Sequence, residues 1–142
     1  LSPGPQWKIA LTEIANNGSS TSLPYSDEKS GLSRILLLGD SISRGIRYST
    51  QQLYHGQANI QGAPTNCGGF EKYRMGLKDW LGYCPWDLIQ FNVGMHFHPD
   101  FPDNTTSWAP IYRRKFTNIV NEIRAHSPSA HIVFALTTPS PF

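Results

Sequence analysis

The chain has 142 residues, enough for one domain, with 39% hydrophobic and 15% charged residues and a formal net charge of +2. Its Lys and Arg residues are scattered, so no basic stripe points to nucleic acid, and no run of about 18 apolar residues exists to span a membrane. With 12 Gly and 11 Pro, loops should be plentiful.

Residues 1–33 are rich in Ser, Asn, Gly and Pro and read as an N-terminal arm, with one short strand expected at Trp7–Ile14. Leu1–Gln6 has neither a basic start nor an apolar block, and the chain does not begin with Met, so a trimmed chain is expected. Residues 34–142 form the domain. Arg34–Leu38 reads as a strand, its continuous apolar run Ile35–Leu38 being that of a parallel strand covered on both faces. Ile42–Tyr54 follows as a helix with apolar residues at Ile42, Ile46 and Leu53. Ala58–Gln61 is a short strand and Gly62–Gly68 a loop. Phe70–Leu81 places Phe70, Tyr73, Leu77, Trp80 and Leu81 on one helix face. Trp86–Val93 is a second strong strand and Asp100–Ser107 a polar loop. Trp108–His126 is a helix with a stripe of Ile111, Phe116, Ile119, Val120 and Ile123, stopped by Ser127-Pro128. His131–Leu136 is a further buried strand.

Strands alternating with helices of this length predict an α/β fold with a parallel sheet and right-handed crossovers. Ligands of such sheets bind beyond the carboxyl ends of the strands. Those ends are Gly39–Ser41, Gln61–Gly69, Val93–His98 and Thr137–Pro141. Ser41 sits where the first strand gives way to a helix, near the positive end of the helix dipole and its unpaired N–H groups. A developing oxyanion would be stabilised there. The plainer reading is that Asp40 or Ser41 simply caps the helix.

Ile35-Leu36-Leu37-Leu38-Gly39-Asp40-Ser41-Ile42-Ser43 resembles the first block of the SGNH/GDSL hydrolases. Asn66-Cys67-Gly68-Gly69, then Leu77 to Trp80-Leu81-Gly82, then Trp86 to His96, and finally Leu136-Thr137-Thr138-Pro139, resemble later blocks of one branch of that family, in order. The resemblance implies a flavodoxin-like three-layer α/β/α fold and a serine esterase or lipase chemistry. It implies Ser41 as nucleophile, with an oxyanion hole from the Ser41 N–H, the Gly68 N–H (Gly69 close behind) and His96. His96 stands in Gly94-Met95-His96-Phe97 where the family has an Asn donor, and Phe97 stands where the family has Asp. Asp40, Asn92 and Gly94 are the supporting residues.

The family activates its serine with a late Asp-x-x-His block, and no such spacing occurs in this sequence. A serine without a base is a poor nucleophile at neutral pH. The final strand and helix and the Asp–His pair are therefore expected on a second polypeptide fragment, or on a continuation of this chain. Cys84 could tether such a fragment. A helix over Gly69–Leu81 holds Cys67 and Cys84 about 18 Å apart, whereas a disulfide needs Cα atoms within about 7 Å.

Two sequons, at Asn17 and Asn104, allow N-glycosylation and favour a secreted protein. His96, His98 and Asp100 lie close in sequence, but no third or fourth histidine or cysteine follows at a useful spacing, so neither metal nor cofactor is expected. Trp80, Trp86 and Trp108 should pack in the core, while Trp7, Tyr48, Tyr54 and Phe101 are freer. Arg44 and Arg47 are expected on exposed helix surface, although an anionic substrate could meet them. The leading expectation is a secreted SGNH-type esterase acting on an acylated carbohydrate or lipid. The alternative is a non-catalytic glycan-binding or structural glycoprotein on the same scaffold.

Overall fold

The computed structural model describes residues 28–94, 96 and 108–137. The expected strand at Trp7–Ile14, both sequons, Phe97, His98, Asp100 and Phe101 lie outside the described residues, as does the side chain of Trp108. The described elements are strands β1 (Ser33–Leu38), β2 (Ala58–Gly62), β3 (Leu88–Phe91) and β4 (His131–Phe134), and helices α1 (Ser41–Leu53), α2 (Phe70–Leu81) and α3 (Trp108–His126). They alternate in the expected order. The four strands form one parallel sheet in the order β2-β1-β3-β4. The α/β class with a parallel sheet is therefore found, and its strand order follows the flavodoxin-like pattern over these four strands.

Pairing registers divide the sheet into two faces. Leu36 pairs with Ile89 and Leu38 with Phe91, and these continue to Ile132 and Phe134 on β4. This face packs against α2 and α3. Phe91 lies 5.5 Å from Phe116 and 6.3 Å from Tyr73, ring centre to ring centre, and Phe70 meets Tyr112 edge-on at 5.0 Å. Leu36, Leu38, Ile89, Phe91, Tyr73, Leu77 and Ile123 are fully buried. Each such side chain contributes about 1.5–3 kcal/mol by leaving water, which makes this layer the main source of stability. The opposite face carries Ile35, Leu37, Ile60 and Gly62 and receives α1. Arg47 of α1 lies so close to Gly62 that a Cβ there would strike its aliphatic stem.

β4 ends at Phe134, not Leu136, and as an edge strand among the described residues it is not buried, with Val133 46% and Leu136 85% exposed. Two other features differ from the sequence expectation. The β3 ladder is shorter than Trp86–Val93, because Trp86 leaves the sheet. Its indole N–H donates to Leu81 O at 2.8 Å, and the Arg34 guanidinium lies over its ring at 4.1 Å. Trp86 and Trp80 are buried as expected. The larger difference is in α1. Ile42, Ile46 and Leu53, its apolar positions, are 60%, 51% and 70% exposed, while Ser43 and Arg47 are buried.

Candidate active site

The strand order reverses between β1 and β3, since β2 flanks β1 on one side and β3 on the other. Connections leaving these two strands diverge, which opens a crevice at their carboxyl ends. The β1–α1 turn, Gly39-Asp40-Ser41, and the segment Asn92-Val93-Gly94 after β3 border this crevice.

Asp40 is the N-cap of α1. Its Oδ1 accepts from the Ile42 N–H at 3.0 Å, and its carbonyl accepts from the Arg44 N–H at 3.1 Å. Capping therefore falls to Asp40 and leaves Ser41, the first helical residue, exposed. Among the described residues, neither the Ser41 hydroxyl nor its N–H makes a hydrogen bond. The other serine of the motif behaves differently. Ser43 turns inward and donates to Asn92 Oδ1 at 3.0 Å, while Asn92 Nδ2 reaches Asp40 Oδ2 at 3.4 Å. Asn92 thus ties both sides of the α1 N-terminus to the end of β3. Gly39 makes this junction possible, since a Cβ there would fall on Asn92 Oδ1 and Ser43 Oγ.

The segment Asn66–Gly69 joins the same edge through the backbone. The Cys67 N–H donates to Gly39 O at 2.9 Å, which sets Gly68 and Gly69 alongside the β1–α1 turn. Gly68 has φ +53°, in the left-handed region that favours glycine. Its N–H donates to Asn66 Oδ1 at 2.8 Å. The Gly69 N–H has no acceptor among the described residues, so of the two glycine amides here it is the unclaimed one. Gly69 also touches the segment after β3, because a Cβ on it would strike the backbone carbonyl of His96. His96 itself is exposed, in a turn. Gly94 is crowded by Thr137, whose side chain occupies the space a Cβ would need.

Two tyrosines fix the loop after β3 from beneath. Tyr73 Oη donates to Asn92 O at 3.1 Å, and Tyr112 Oη donates to Val93 O at 2.9 Å. Burial raises the pKa of both hydroxyls, and for Tyr73 the neighbouring Cys67 adds to the effect. Cys67 is fully buried, and burial pushes its thiol up to about 12, so it stays protonated and unreactive at neutral pH. Both cysteines are free, and Cys84 is half-buried.

The structure corrects the reading of Arg47. It is 3% exposed, not on the helix surface, and donates to Ala63 O at 3.0 Å. Burial lowers its pKa to about 10, with Arg44 adding to the shift. Arg44 is exposed as expected. No group of three metal-ligating side chains converges among the described residues, and no helix of the described residues is long and apolar enough to cross a membrane.

Ser41, Asp40, Asn92, Gly68 and the His96 backbone therefore converge on one edge. Sequence reasoning missed Ser43, which shares with Arg47 the helix face away from Ile42, Ile46 and Leu53. It also missed Lys72, four residues beyond Gly68, whose side chain lies over that glycine. The chain matches no protein-family model and no curated protein.

Proposed function

We propose that this chain is an SGNH-type serine ester hydrolase acting on an acylated carbohydrate or lipid outside the cell. Ser41 Oγ attacks the ester carbonyl and passes its proton to a histidine. The tetrahedral oxyanion is held by the N–H groups of Ser41 and Gly69, by the His96 side chain, and by Gly68 once Asn66 releases its amide. Collapse expels the alcohol, protonated by the same histidine, and water then releases the acid by the reverse sequence. The histidine and its orienting aspartate come from outside these 142 residues, on a continuation of the chain or on a second polypeptide that Cys84 could tether. Asn17 and Asn104 carry the glycans.

The observation that supports this reading is the division of labour at the β1–α1 turn. Asp40 takes the capping role, so the hydroxyl and amide of Ser41 are both unclaimed beside an unclaimed Gly69 amide. Fluorophosphonate labelling of the native material tests it. We expect one adduct per chain, on Ser41, together with cleavage of a short-chain aryl ester that Ser41→Ala abolishes. Cleavage that survives Ser41→Ala unchanged removes the reading. The second reading, a non-catalytic glycan-binding or structural glycoprotein, draws on one observation: no histidine among the described residues bonds to Ser41. Absence of any adduct favours it.

A further inference from the structure

Among the described residues, the edge that carries Ser41 is rimmed by cations, Lys72 and Arg44, with no carboxylate paired to them. Lys72 follows Gly68 by four residues, in the first turn of α2, and side chains on a helix lean toward its N-terminus. Lys72 accordingly lies over Gly68. A Cβ built on that glycine would stand 3.0 Å from Lys72 Cδ and 3.5 Å from Nζ. The ammonium is also close enough to act electrostatically on buried Cys67. Lys72 is nonetheless exposed, and its ammonium pairs with no carboxylate among the described residues. Three other cations have carboxylate partners: Arg34 with Glu28, and Arg74 and Lys115 with Glu71. On α1, Arg44 and Tyr48 follow Ser41 at three and seven residues, hence on the same helix face, and all three are exposed. The carboxylate of the β1–α1 turn, Asp40, is 3% exposed and engaged by the Ile42 N–H and Asn92 Nδ2.

We propose that the substrate of this site carries a carboxylate next to its ester group, and that Lys72 binds that carboxylate beside Gly68, with Arg44 on the Ser41 side of the rim. This rests on the ester hydrolase reading and narrows its substrate class to anionic esters. Lys72 acts as a binding residue and takes no part in bond making. Because the ammonium is exposed, the gain is modest and falls with ionic strength.

Two non-cleavable amides of equal chain length separate the idea from the chemistry: the monoanilide of glutaric acid and the anilide of valeric acid. Each is titrated into the full chain while the Gly68 and Gly69 amide resonances are followed by NMR. The acidic anilide should bind about fivefold more tightly than the neutral one. That advantage should vanish in Lys72→Gln, persist in Lys72→Arg and shrink at raised salt. Equal binding of the two anilides, no binding, or an advantage untouched by Lys72→Gln overturns the proposal. Turnover of a neutral aryl butyrate by the native material, with and without Ser41→Ala, reports on the hydrolase reading separately. A Lys72-dependent preference without turnover keeps the anion site and removes the enzyme. Turnover with a preference indifferent to Lys72 does the reverse.

Discussion

Helices α1 and α2 flank the same parallel sheet, yet they bury opposite kinds of surface. α2 turns Phe70, Tyr73, Leu77, Trp80 and Leu81 inward. α1 turns Ser43 and Arg47 inward and leaves Ile42, Ile46 and Leu53 in solvent. Apolar burial is non-directional, so it fixes α2 strongly but tolerates small shifts. The contacts under α1 are hydrogen bonds, which demand particular distances and angles. α2 therefore supplies stability, while α1 is held in register with β3 by Ser43, Asn92 and Asp40. The candidate nucleophile rides on the helix that is positioned by hydrogen bonds, as a site needing fixed geometry requires.

Substitutions can sharpen or break this contrast. The largest effect is expected on the α2 side. Trp80→Ala removes a large side chain that is 2% exposed and should cost about 3–5 kcal/mol, read as a lower midpoint in urea unfolding. A loss below about 1 kcal/mol would mean that α2 does not anchor the fold.

Next comes the polar junction. Ser43→Ala leaves Asn92 Oδ1 without its donor and should cost about 1–3 kcal/mol. It should also slow fluorophosphonate labelling of Ser41 more than its stability cost alone accounts for, measured well below the melting temperature. Labelling at the wild-type rate would detach Ser43 from the positioning of the turn.

The third test is alkaline titration. Cys67 has an ordinary pKa of 9.0, pushed up to about 12 by burial. Below about 9 both the folded and unfolded chains keep the proton. Above it the unfolded chain releases the proton while the folded chain holds it, so stability falls as pH rises across that window. Tyr73, also raised, acts in the same direction above its own ordinary value of 10.0. Cys67→Ala should flatten part of this slope in urea midpoints plotted against pH. A slope identical to wild type would place the alkaline sensitivity elsewhere.

The smallest effect is expected on the outer stripe of α1. Ile46→Gln replaces a residue that is 51% exposed and should change stability by no more than about 0.5 kcal/mol. A loss of several kcal/mol would show that the stripe is covered in the native particle and that α1 is not held by its polar face alone.

Much of the secondary structure was legible because it follows from local periodicity. The stripe of five apolar residues in Phe70–Leu81 marks a helix of the same bounds and buries the same five residues. The run Arg34–Leu38 marks β1 to within one residue. The α1 segment was legible as a helix but not in its orientation. Apolar residues at positions 42, 46 and 53 share one face, which ordinarily turns inward. Here Ser43 finds its partner 49 residues away on β3 and Arg47 finds one at Ala63, and these contacts set the rotation of the helix.

The amino-acid sequence by itself determined the alternation of strands and helices, and it placed Ser41, Gly68 and His96 at strand ends. Those features depend on neighbours a few residues apart. Only the tertiary structure decided which serine of the motif is exposed and which is buried, which glycine amide is unclaimed, and that Lys72 overlies Gly68. Each depends on atoms brought together from distant segments at hydrogen-bond range, where a shift of about 1 Å separates contact from none. No local pattern carries that precision.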